Sequence, residues 1–180
     1  KLLKDTCKVA ATFGAKGVIV HGGSVGEGGD IGQGYENWGK AIKEVEDIGV
    51  RVLVENTAGG KNSVARYMDS IERLWEVIGH LNVGLCLDTC HTWAGGIPTI
   101  EAVKGFKKLV KKIDLIHFND SKDGFESSRD RHENLGKGQI PKEELEYVIK
   151  NAKTDIIVET PNGPDAQKKD IAWIKRRLKK

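Results

Sequence analysis

The chain has 180 residues, 38% of them hydrophobic, which is enough to bury a core. A formal net charge of +3 excludes nucleic-acid binding driven by overall charge, so any attraction to phosphate has to be local. Three cysteines (Cys7, Cys86, Cys90) are too few for a disulfide framework, and no stretch is long and apolar enough to span a membrane. With no signal peptide pattern at the start, the expectation is a cytoplasmic protein of bacterial or archaeal type, with no membrane partner.

In chain order, the sequence opens at Lys1 on an amphipathic pattern, Leu2, Leu3, Thr6, Val9, Ala10 and Phe13. That is the interior of a helix, so earlier chain is expected to precede it. Short β-rich apolar runs then alternate with longer helical ones. The predicted strands are Gly17–His21, Arg51–Glu55, Val83–Asp88, Asp114–His117 and Asp155–Glu159. Between them run apolar stripes at helical spacing: Trp38 to Ile48, Val64 to Ile78, Ile100 to Val110, Leu145 to Ile149, and finally Ile171 to Leu178. The basic end of the last helix suits the negative pole of its dipole. Continuous apolar strands imply burial on both faces and a parallel sheet, hence an α/β barrel or a doubly wound sheet. No low-complexity linker intervenes, so one domain over 1–180 is expected.

All five predicted strands end in a potential metal ligand: His21, Glu55, Asp88, His117 and Glu159. In a parallel fold the strand C-termini share one side, so these side chains converge at one mouth. His91 follows Asp88 by three residues, and Asp130 and His132 lie two apart on one loop. Any one of these could simply cap a helix, but their recurrence at every strand end favours a metal site. Imidazoles with carboxylates suit zinc, or manganese, rather than calcium or magnesium. The four carboxylates carry a formal −4, which three divalent ions would turn to +2, a field suited to a phosphodiester. Cys86 and Cys90 read as buried thiols beside the site, and His80 as a helix-end residue. The glycine-rich run Gly22–Gly34 lacks a phosphate-loop ending and reads as a mobile loop at the mouth.

At these residues the chain resembles the endonuclease IV family of zinc-dependent apurinic/apyrimidinic endonucleases. The resemblance rests on GLCLDTCHTWAGG (Gly84–Gly96) and HFNDSKDGFESSRDRHENLGKG (His117–Gly138), with VIVHGGS, VLVENTAGG and IIVETPNG in matching order around His21, Glu55 and Glu159. It implies a (β/α)8 TIM barrel, of which this chain holds about the last five βα units. It implies up to three Zn2+: the first held by His21 and Glu55, the second by Glu55, Asp88, His117 and Glu159, the third by His91, Asp130 and His132. Glu55, Asp88 and Glu159 are then the catalytic residues, and Arg131 and Lys137 are candidate DNA contacts. The implied activity is hydrolysis of the phosphodiester 5′ to an abasic site, leaving a 3′-hydroxyl and a 5′-deoxyribose phosphate. The implied substrate is double-stranded DNA with abasic sites or blocked 3′ ends, and no protein partner is implied. One further zinc-binding histidine of the family falls on the strand before His21, where this chain offers none. Glu126 stands where the family pattern has glycine. The alternatives are a metal-dependent sugar isomerase or epimerase barrel, against which the third-metal loop argues, and a non-catalytic metal-binding fragment.

Overall fold

The strand runs are separated by helices, and a helical crossover returns the chain to the same edge, so neighbouring strands lie parallel. The computed structural model describes residues 1–179. Strands β1 (Gly17–His21), β2 (Arg51–Glu55), β3 (Val83–Asp88), β4 (Leu115–His117) and β7 (Asp155–Ile157) form one parallel sheet in that order. Two intervening strands, β5 (Asp120–Ser121) and β6 (His132–Glu133), pair antiparallel as a small separate ribbon. Helix α1 spans Leu2–Thr12, α2 Ile31–Lys43, α3 Met68–Ile78, α4 Thr89–Gly95, α5 Thr99–Leu109, α6 Lys142–Ala152 and α7 Gly163–Leu178.

Alternation along each strand divides the side chains between two faces. Val18, Val52, Val54, Leu85, Leu87 and Ile116 join a core with Ile42, Ile71, Leu74, Phe106 and Leu145 from the helices. His21, Glu55, Asp88 and His117 share the opposite parity with Leu53, Cys86 and Leu115, and so face the concave side. Burial on both faces holds for the central strands β2 and β3 but not for the outer two; Ile157 on β7 is 46% exposed. The reason is position, since β1 and β7 each have one sheet neighbour. Lys16, just before β1, nevertheless reaches Asp155 at the start of β7 at 3.8 Å. The outer strands therefore curl toward each other, as in part of a barrel.

Two strand boundaries differ from the sequence reading. The fourth strand starts at Leu115 rather than Asp114, whose carboxylate instead accepts from Leu85 N at 3.0 Å and pairs with Arg51 at 2.5 Å. The last strand stops at Ile157, two residues before Glu159. Its ladder ends where Phe118 N donates to Ile157 O at 2.7 Å, and the Glu159 amide donates to the Asn119 side chain at 2.8 Å. The glycine-rich run is also shorter as a loop than expected. Asp30 caps α2 through Gly32 N at 2.8 Å, so Gly32 and Gly34 are helical, and Asn62 Nδ2 ties the loop down at the carbonyls of Gly26 and Gly29.

Glu126 has φ +60°, in the left-handed region that favours glycine, and its amide donates to Trp93 O at 3.0 Å. The turn over α4 thus demands the conformation that the family pattern meets with glycine. Glu126→Gly is expected to raise stability by about 0.5–1 kcal/mol, less than the full left-handed penalty because glycine also frees the unfolded chain. Urea unfolding checks this, and an unchanged or lower midpoint would reject the strain account.

Candidate metal centre

The mouth is assembled from strand ends, one helix start and one ribbon. Glu55 ends β2, is 3% exposed, and uses its two oxygens separately: Oε2 lies 3.3 Å from His21 Nε2 and Oε1 2.8 Å from His117 Nδ1. It therefore spans the two places where the first and second ions were expected. His117 Nδ1 also lies 3.1 Å from Glu159 Oε2, so the displaced Glu159 still reaches the cluster from beyond its strand. The donor atoms of Glu55, Asp88, His117 and Glu159 all lie within 4.8 Å of one another.

Asp88 serves as ligand candidate and helix cap together. As N-cap of α4 its Oδ1 accepts from His91 N at 2.8 Å, which places Asp88 and His91 on one side of the helix start. His91 Nδ1 lies 2.9 Å from Asn56 O, a contact that fixes the Nδ1–H tautomer and leaves the Nε2 lone pair facing inward. The ribbon brings Asp130 and His132 opposite: Asp130 Oδ1 sits 3.0 Å from His91 Nε2 and 3.2 Å from His132 Nε2. Those two Nε2 atoms are buried and make no properly directed hydrogen bond; they are the buried side-chain atoms so left among the described residues. Buried ring nitrogens that meet the Asp130 carboxylate off the hydrogen-bonding direction are what an ion shared by these three groups would account for. The donor set, imidazoles and carboxylates at one focus, thus fits zinc-type ligation at the second and third places. At the first, His21 and Glu55 converge; the third group member in reach, His91, has its nearer nitrogen committed to Asn56.

Without ions the cluster neutralises itself with protons. Burial pushes Glu55 up, but the hydrogen bonds of His117 and His21 outweigh it and bring it down to about 2. Burial lowers His91, while Asp88, Asp130 and Glu55 more than offset this and raise it to about 10. His132 and His91 hold Asp130 well below the usual carboxylate range. His21 is raised by Glu55, and His117 and His132 are raised by nearby carboxylates against the opposing effect of burial. An ion must therefore displace protons from these imidazoles. Because the protonated rings cannot ligate, binding should tighten as pH rises from about 6 toward 9, by roughly tenfold per unit for each proton displaced. Zinc titration with a pH indicator in weak buffer measures the release, and pH-independent affinity with no proton release would contradict it.

The other sequence candidates fall as follows. Cys86 is buried on the concave side with its sulfur within 4.8 Å of Glu55 and His117 donor atoms, and burial pushes the thiols of Cys86 and Cys90 up, Cys90 to about 12. His80 is exposed just past α3. The Arg131 guanidinium is committed to Asp123, with Nε 2.6 Å from Oδ2, whereas Lys137 is exposed on the loop after the ribbon. Two residues that the sequence reading passed over are central. Asn56 pairs its carboxamide with the Asp88 backbone, Oδ1 to N at 2.8 Å and Nδ2 to O at 3.2 Å, locking the ends of β2 and β3. Asn119 donates to Asp88 Oδ2 at 2.7 Å. Their place just past strand ends, one residue after Glu55 and two after His117, where ladder bonds run out, is the signal that could have found them.

Residues 1–177 match the AP endonuclease 2 family, described as a xylose isomerase-like TIM barrel. The chain belongs to that family. A probable endonuclease 4 from Mycobacterium tuberculosis is 48% identical over 177 residues, covering 98% of this chain and 69% of the relative. One from Mycobacterium leprae is 46% identical with the same coverage. The crystal structure of endonuclease IV from Thermus thermophilus superposes with a TM-score of 0.78 at 30% identity, over 98% of this chain and 66% of that one. A D-tagatose 3-epimerase-like protein reaches 0.75 at 20% identity, a likeness of fold alone. The chain thus spans about two thirds of the length of these family members. Both the resemblance read from the motifs and the α/β-barrel class are borne out, and the expected enzyme class agrees with the relatives' names.

Proposed function

We infer that this chain carries the metal-binding mouth of a DNA repair endonuclease that hydrolyses the phosphodiester 5′ to abasic sites. The observation that carries this reading is the meeting of Glu55, Asp88, His117 and Glu159 with His91, Asp130 and His132 in one mouth, where two buried imidazole nitrogens converge on the Asp130 carboxylate without a well-directed hydrogen bond. His21 and Glu55 are the residues for a first Zn2+, Glu55, Asp88, His117 and Glu159 for a second, and His91, Asp130 and His132 for a third. Divalent ions so held would supply Lewis-acid polarisation of a phosphoryl oxygen and offset its developing negative charge. The protein's own part is orientation. Glu55 ties the first place to the second, the Asn56 carbonyl fixes the His91 tautomer, and His91 N and Asn119 hold the two oxygens of the Asp88 carboxylate. Beside His21, His91 and Asp130 lies a cavity of about 320 Å³, lined also by Ala58 and Gly59, where a sugar-phosphate could approach. An isomerase-type barrel fits less well, because a single ion does not use eight donors.

The test is elemental analysis after exhaustive dialysis, followed by incubation with a duplex containing one abasic analogue. The duplex assay uses the chain itself and a chimera supplying the third of a relative's length that it does not span. About two tightly held ions per chain, and cleavage by the chimera, are expected. A folded chain that holds no ion would end the metal reading, and a metal-loaded chimera without cleavage would end the nuclease reading.

A further inference from the structure

Asn119 occupies a place that neither metal ligation nor helix packing requires. It is fully buried, two residues after His117, where β4 has already ended. Its backbone is held on both sides by the Thr89 hydroxyl, which accepts from Asn119 N at 2.9 Å and donates to Asn119 O at 2.6 Å. The side chain is consequently aimed without freedom to turn. Its Nδ2 donates to Asp88 Oδ2 at 2.7 Å, and its Oδ1 accepts from Glu159 N at 2.8 Å. A flip of the amide would set oxygen against carboxylate and NH2 against N–H, so the orientation is determined by its partners.

The two contacts act on residues with complementary weaknesses. Asp88 Oδ1 is already engaged by His91 N, which leaves rotation of the carboxylate to be stopped at Oδ2. Glu159 lies beyond the last ladder of β7, so its backbone lacks a strand partner to fix it. One carboxamide supplies both constraints, and links β3 to the segment after β7 across β4. The third place is built differently: His91 is oriented by Asn56, and His132 Nδ1 lies 3.3 Å from Glu159 O. Asn119 touches neither imidazole in a hydrogen bond.

We propose that Asn119 is a positioning residue for the second metal place, holding Asp88 and Glu159 in the mutual orientation that an ion there requires. This rests on the reading of the mouth as a metal centre. Ligand-orienting partners of this kind typically account for 10–100-fold in metal affinity. Loss of Asn119 should weaken the second place by roughly that factor and the third by less, since it reaches the third only through the Glu159 backbone beside His132.

The experiment titrates the chain with Co2+ and follows its visible absorption, with a chromophoric chelator as competitor. Wild type is compared with Asn119→Ala, Asn119→Asp and His132→Ala. The Ala variant removes both contacts; the Asp variant keeps an acceptor for Glu159 N but sets an oxygen against Asp88. Both are expected to lose roughly 10–100-fold at the place that His132→Ala retains, and to lose less at the place that His132→Ala removes. Thermal unfolding with excess chelator monitors the fold independently of metal. Unchanged affinities, or equal weakening at both places, would overturn the assignment. So would loss of the fold in both variants, which would make Asn119 a general packing residue. A wild-type chain that takes up no Co2+ would instead refute the metal-centre reading beneath it.

Discussion

Replacing Glu55 by glutamine is expected to remove ions from the first and second places together while the third stays filled. Both carboxylate oxygens are used, one toward His21 and one toward His117, and the side chain is almost wholly buried. An amide of the same shape keeps the packing but presents a neutral oxygen and an NH2 group, so one of the two contacts becomes donor against donor. The loss in metal affinity at these places should exceed the roughly 10–100-fold found for mere orienting partners. If the chimera cleaves abasic duplex, Glu55→Gln should lower its rate by at least about 10³-fold, at the upper end for losing one electrostatic stabiliser. Elemental analysis and single-turnover cleavage check the two halves. Full metal content in the variant would show that Glu55 is a structural acid and not a shared ligand.

The second large effect separates catalysis from folding. Asp130→Ala or His132→Ala is expected to reduce cleavage by on the order of 10²-fold or more through lost charge stabilisation, with only a small change in melting temperature. Asp130 has a half-exposed side chain on a loop, so water can replace what it loses. Asp88→Ala should be the opposite case. Its carboxylate is fully buried, caps α4 through His91 N and accepts from Asn119, so truncation removes a cap and strands two donors. That combination should cost about 2–4 kcal/mol. Unfolding curves for the metal-free variants give the comparison, and a larger loss for His132→Ala than for Asp88→Ala would reverse the ordering argued from burial.

These contrasts show which parts of the site were legible in the sequence. His21, Glu55, Asp88 and His117 could be placed because a parallel strand has only one possible end for its last side chain, and β-rich runs mark that end well. Glu159 was put at the end of a strand because Asp155–Glu159 has the composition of one. Composition does not register that an edge strand loses its ladder early and hands its amide to a side chain. The β5–β6 ribbon escaped notice for a different reason, since two-residue strands are too short to carry a period. The pairing of Arg131 with Asp123 was likewise not legible, because the two become neighbours only once the ribbon has folded. Asn56 and Asn119 were passed over because a neutral amide carries no charge or ligand chemistry of its own, and only its place just past a strand-end ligand candidate marks it.

The four donors of the second place come from four separate stretches of chain, from Glu55 through Asp88 and His117 to Glu159. An ion held there would act as a clasp as well as a reagent. It would close three large loops at once, and closure of long loops withdraws the most freedom from the unfolded chain. The ion and the fold should then stabilise each other across more than half the sequence, with β1, which lies outside those loops, gaining least from it.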